Sequence, residues 1–161
     1  SWIKHHLFTP FTVGLGFIAG GFWILYAEKF YKNPQKTSLD ELSPLEAFKI
    51  GCFQCLAMWP GFSRSGATIL GGMTLGLDRR TASEYSFFAA VPVLSAAAIL
   101  DLLKSLKSLS PGDLPFFAVG FLVSFFAAWA VIKTFIHFVS RHSLSIFAWY
   151  RFAVGFLIFF T

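Results

Sequence analysis

The stretch Pro60-Gly61-Phe62-Ser63-Arg64-Ser65-Gly66-Ala67-Thr68 concentrates polar groups inside some of the most apolar sequence of the chain. A proline followed by a glycine ends any helix that reaches it. The helix that starts afterwards has first amides without carbonyl partners, and its dipole presents the positive end. Such a terminus, expected near Ser65-Gly66, is an anion site. Arg64 adds a permanent charge in a planar fork suited to phosphate oxygens. Ser63, Ser65 and Thr68 add short hydroxyl donors. Gly61 and Gly66 let the backbone turn and approach a ligand closely. Gln54, about two turns upstream, is a candidate for the same cavity. The chemistry these residue types share is the holding of a phosphate that is reachable from the membrane.

An arginine within a bilayer costs at least about 2.5 kcal/mol on insertion scales, so its presence needs a reason. One alternative is structural: Arg64 answers Glu46 or Glu84, or caps carbonyls. Glu84 itself reads first as a capping residue. The donors gathered around Arg64 favour the phosphate.

The elements around this stretch are of membrane composition. The chain has 161 residues, 56% hydrophobic, 19% aromatic and 13% charged, with a mean hydropathy of +0.66. Soluble domains carry about 25% charged residues. The composition implies an all-α polytopic membrane protein. A net charge of +5 would suit nucleic acid in a soluble domain. Here the basic residues border apolar spans, as they do at a cytoplasmic membrane face. The expected partner is therefore the bilayer and not nucleic acid. Cys52 and Cys55 form a C-x-x-C, but two thiols without a nearby histidine cannot complete a zinc shell, so they read as packing residues. His5, His6, His137 and His142 read as headgroup-level side chains.

Residues 10–27 carry no charge, and their eighteen residues rise about 27 Å as a helix. Gly14, Gly16, Gly20 and Gly21 predict close packing against another helix. Residues 28–43 read as a polar loop. Ser43-Pro44-Leu45-Glu46 is a capping box with proline at the first helical position, and its helix can run only to Trp59. The apolar segment after the break ends before Asp78. Neither piece reaches the roughly 20 residues of a full crossing, so residues 44–77 read as a re-entrant helix–break–helix. Thr81-Ala82-Ser83-Glu84 reads as a second capping box, opening a helix to about Leu103. Ser110-Pro111-Gly112-Asp113 starts the next, to about Phe138. Residues 144–160 make a last helix, flanked by Trp149, Tyr150 and Arg151. The expected fold is one membrane domain over residues 1–161, with about four transmembrane helices and one re-entrant pair. If 44–77 enters and leaves by one face, then Lys29, Lys32, Lys36, Lys49, Arg79, Arg80, Lys133 and Arg141 share it. Lys4, Lys104 and Lys107 lie opposite, which makes the first face cytoplasmic.

The run Gly51-Cys52-Phe53-Gln54-Cys55-Leu56-Ala57-Met58-Trp59, continued by residues 60–68, closely resembles the second signature of the bacterial undecaprenyl-diphosphate phosphatases, the bacitracin-resistance family. Ala82-Ser83-Glu84-Tyr85-Ser86-Phe87-Phe88 with Ala90-Val91-Pro92 resembles that family's next helix. Phe147-Ala148-Trp149-Tyr150-Arg151-Phe152 resembles its last. The resemblance implies two inverted repeats, each with a re-entrant pair, in the bacterial inner membrane, and a site open to the periplasm. It implies hydrolysis of undecaprenyl diphosphate to undecaprenyl phosphate and inorganic phosphate, which recycles the lipid carrier for peptidoglycan synthesis. Ser63, Arg64 and Thr68 match the family's phosphate-contacting residues. A magnesium or calcium ion is the implied cofactor.

The family's first signature, an EGxTEFxPVSSxGH-like segment with two glutamates, finds no match in SWIKHHLFTP. With Ser1 in place of methionine, the start reads as cut, and the chain as a carboxyl-terminal portion. On this reading it holds phosphate while the nucleophile and metal ligands stay unassigned. Two other readings remain. Broken helices also build transporter sites, which would suit a polyprenyl-phosphate carrier. An inactive lipid-phosphate-binding fragment is the third. The oligomeric state stays open, a homo-oligomer included.

Overall fold

A computed structural model describes residues 9–30, 34–105 and 110–160. Among them the regular elements are helical: α1 (Pro10–Phe30), α2 (Pro44–Gln54), α3 (Arg64–Thr74), α4 (Arg79–Ser105), α5 (Leu114–Arg141) and α6 (Ser145–Phe159). Three stretches, Pro10–Lys29, Arg79–Ser105 and Leu114–Arg141, are long and apolar enough to cross a bilayer. At 11 residues each, α2 and α3 reach only about 16 Å, and α6 with 15 residues about 22 Å. From Val91 to Ser105 and from Leu114 to Val131, α4 and α5 are exposed throughout. Phe116, the most exposed of the large apolar side chains there, reaches 79%. Apolar area on this scale is stable against lipid or protein, not water. The chain is an all-helical membrane protein.

The sequence ends the first helix at Ala27, whereas α1 continues to Phe30. Glu28 is the reason. Its carboxylate receives Arg79 Nε at 2.9 Å, Arg79 Nη2, and the Leu144 amide at 2.8 Å. With a side chain only 9% exposed, Glu28 behaves as a buried acceptor and not as a loop residue. It joins the end of α1 to the starts of α4 and α6.

The capping box of α2 forms as read: Glu46 N donates to Ser43 Oγ at 3.3 Å, and Ser43 N to Glu46 Oε2 at 3.0 Å. Lys36 donates to both Glu46 oxygens. The Lys36 hydrogen bonds, and then those from Ser43, lower the Glu46 carboxyl from 4.5 to about 2. A depressed folded-state value means the contribution is complete above pH 4.5 and fades as pH falls toward 2. Amide exchange in the first turn of α2 should therefore accelerate, relative to the rest of the helix, across that window. A profile parallel to the other α2 amides would remove this pair from the account.

α2 stops at Gln54 and tightens into a 3₁₀ turn, Cys55–Met58, ahead of the expected end at Trp59. The residue before a proline avoids helical backbone, and the turn absorbs the change. α4 corrects the sequence reading. Its first turn is capped by Asp78, whose Oδ1 accepts the Thr81 amide at 2.6 Å. Thr81 lies inside the helix, and Glu84 instead receives Arg80 Nε at 2.9 Å, one turn away.

The ends of residues 44–77 meet at one end of the bundle. The amides of Gln35 and Lys36 donate to Gly76 O at 2.9 and 3.1 Å, and the Asp78 amide to Lys36 O at 3.0 Å. The break lies away from that end, against α1. Trp59 Nε1 donates to Thr12 O at 3.0 Å, and Gly16 packs on Pro60. From Glu28 to Gly16, α1 rises about 18 Å, which sets the depth of the break below the junction at Glu28. The α1 glycines do pack closely, Gly14 and Gly21 against Phe159 and Phe152 of α6. At the break, Gly61 has φ +82°, and a Cβ there would run into the Val13 carbonyl, so no other residue fits without strain. Thr68 Oγ1 and Ser86 Oγ, 2.6 Å apart, join α3 to α4 in a buried polar contact of the kind that holds membrane helices together. On α5, Lys133 Nζ stands 5.4 Å over the Trp129 ring.

Candidate functional site

The candidate phosphate-holding stretch leads into the amino terminus of α3. Ser63 is the N-cap: its Oγ accepts the Gly66 amide at 3.1 Å and lies 3.2 Å from Ser65 Oγ. The helix thus begins one residue earlier than the sequence suggests, because a capping serine sits directly after the turn. The amides of Arg64 and Ser65 precede the first bonded turn, and the dipole's positive end coincides with them. Ser63, Ser65 and Gly66 line a cavity of about 330 Å³. The rest of its wall is largely apolar, including Phe17, Ile69, Phe135, Phe147 and Tyr150. The wall thus combines a few polar groups with a surface that suits hydrocarbon.

The other sequence candidates lie beside this cavity and not on its wall. Arg64 projects toward α4, where Nη1 donates to Ser86 O at 3.4 Å, the long limit of a hydrogen bond. Thr68 is 1% exposed, and its hydroxyl reaches the Arg64 and Ser65 carbonyls at 3.2 and 3.0 Å as well as Ser86. It fixes the first turn of α3. Gly61 makes the turn itself. Gln54 closes α2, half-buried and off the cavity wall. Cys52 and Cys55 are exposed and unbridged.

Residues 1–157 match the family described as bacitracin resistance protein BacA. This chain belongs to that family. Among curated relatives, it is 54% identical over 160 residues to an undecaprenyl-diphosphatase of Nitratidesulfovibrio vulgaris, covering 99% of this chain and 60% of that protein. The undecaprenyl-diphosphatase of Maridesulfovibrio salexigens is 52% identical, with coverage of 99% and 61%. That of Acidovorax ebreus is 49% identical, with coverage of 99% and 58%. The chain spans about three fifths of the length of these relatives.

One cationic side chain of the BacA-family cavity was missed by the sequence reading. Arg151, taken there as a flank, is the seventh residue of α6 and lines the wall together with Ser63 and Ser65. The available signal was an arginine within an otherwise apolar helix, which marks a functional candidate by default. Among the described residues no three His, Cys, Asp or Glu side chains converge, so these residues offer no all-side-chain cage for the implied divalent ion.

Proposed function

We propose that the protein containing this chain hydrolyses undecaprenyl diphosphate to undecaprenyl phosphate and inorganic phosphate in the bacterial inner membrane. The observation that carries the reading is the cavity: Ser63, Ser65 and Gly66 of the α3 amino terminus share a wall that is otherwise largely apolar. A lipid diphosphate has that same combination. The names of the relatives agree with it.

On this reading the terminal phosphate sits on the first turn of α3. The Arg64 and Ser65 amides and the Ser63 and Ser65 hydroxyls hold its oxygens. Arg64, released from its long contact with Ser86, neutralises charge on the transferring group. Thr68 holds the Arg64 backbone from beneath. The phenyl rings and Tyr150 take the first isoprene units. Membrane placement follows the same reading. The meeting of residues 35–36 with 76–78 supports a re-entrant α2–α3 pair entered from the cytoplasmic face, with α6 as a fourth, short crossing. A break about 18 Å deep then lies nearer the periplasmic side, from which the substrate would enter.

Phosphate release from undecaprenyl diphosphate by the full-length protein in detergent, with and without magnesium, tests the reading. Release that follows protein concentration and is absent from the Ser63→Ala, Arg64→Ala double variant is expected. No release from a preparation that still binds inorganic phosphate would make the site a carrier's and not a hydrolase's.

A further inference from the structure

The geometry points to Arg151 as a positioning residue that fixes the helix break and thereby aims the amino terminus of α3 into the cavity. Its guanidinium binds three backbone carbonyls at once. Nη2 donates to Gly16 O and Gly61 O, both at 2.9 Å, and Nε donates to Phe17 O at 3.2 Å. Two of these acceptors belong to α1 and the third to the turn. One planar group therefore sets the distance and angle between them. The guanidinium also lies 5.0 Å over the Phe17 ring, which prevents it from tilting out of this plane.

The physical need is specific. A turn at membrane depth frees carbonyls that lipid cannot satisfy. Gly61, at φ +82°, directs its carbonyl toward α6, and Arg151 supplies the donor. Ser63, two residues further on, caps α3, so a rotation at Gly61 carries the cap and the first amides with it. Arg151 also shares the cavity wall with Ser63, Ser65 and Gly66, and with Ser63 and Gly66 a smaller recess of about 20 Å³ behind it. The space for the guanidinium is reserved across α1. A Cβ at Gly20 would meet Arg151 Nη2, with Cζ at 2.7 Å and Nε at 2.8 Å. Lysine keeps the charge but cannot present a fork to two carbonyls on different elements.

The inference rests on the phosphatase reading for its kinetic arm and is independent of it in its structural arm. Arg151→Lys and Gly20→Ala are made singly and together in the full-length protein. Both displace the same fork, one by shortening it and the other by crowding it. Each should lower kcat about 100-fold, the cost of a misplacement of about 1 Å, while KM stays nearly constant. The double variant should be no slower than the worse single one, because both remove one interaction. Hydrogen exchange of the 62–66 amides should quicken in each variant while α4 and α5 keep their protection. Wild-type kcat and exchange in Arg151→Lys, or multiplying losses in the double variant, would overturn the clamp. If the unmodified protein releases no phosphate but the variants loosen 62–66, the enzymatic reading fails and the clamp stands. If it hydrolyses lipid and the variants are silent in both measurements, the reverse holds.

Discussion

Replacing Arg64 by alanine should lower phosphate release from undecaprenyl diphosphate by about 1,000-fold or more, the effect of removing an arginine that neutralises a transferring phosphoryl group. The fold should survive. In the structure the guanidinium makes one hydrogen bond, 3.4 Å long, to the Ser86 carbonyl, and a bond of that kind contributes about 1 kcal/mol at most. The anchors of the first turn, the Ser63 cap and the Thr68–Ser86 contact, remain in place. Loss of activity with an unchanged melting temperature therefore separates a chemical role from a structural one. Arg64→Lys should recover only part of the loss, because an ammonium offers a point charge in place of a fork. Activity of Arg64→Ala within tenfold of the unmodified protein would leave the α3 terminus without its proposed charge.

The second large effect lies at Glu28 and reverses this pattern: stability falls, and activity falls only because folded protein is lost. Glu28→Ala removes the ion pair with the partly buried Arg79 and leaves the Leu144 amide without its Glu28 acceptor. Removing one member of a buried pair costs about 3–5 kcal/mol, a large share of the stability of a small membrane domain. Glu28→Gln keeps the shape and one acceptor oxygen, so it should retain part of the difference. Unfolding midpoints of the two variants in a mild detergent, titrated with a denaturing one, measure this. Equal midpoints for Glu28→Ala and the unmodified protein would mean that the ends of α1, α4 and α6 are held by packing alone.

The two sites differ in how far the sequence reveals them. The break at Pro60-Gly61 and the Ser43–Glu46 box are local, and residue type alone implies them; the Ser63 cap is local too, although Ser63 reads first as a donor to phosphate. The end of α1 and the place of Arg151 are not local. Glu28 meets Leu144 across 116 positions, and Arg151 meets Gly16 across 135. Spacing rules stop at a turn or two, so Glu28 reads as loop and Arg151 as an interfacial flank until the helices are packed. The same limit explains the placement of the motif's polar groups. The sequence gathers Ser63, Arg64, Ser65 and Thr68 as one cluster, but successive helical residues point about 100° apart. The structure divides them between the cavity and the α4 interface. The glycine pattern of α1 was legible because small residues in an apolar helix imply a close neighbour, though not which one.

The lysine that stands over Trp129 also marks a waterline. Long cationic side chains reach for the headgroups, and tryptophan prefers the same level, so on the proposed membrane placement this pair lies near the hydrocarbon boundary, before the last residue of α5. From Lys133 to Arg141 the helix climbs about 12 Å further. On that placement the junction built on Glu28, which holds the Leu144 amide, lies at headgroup level, where a carboxylate and a guanidinium can assemble before the surrounding helices close over them.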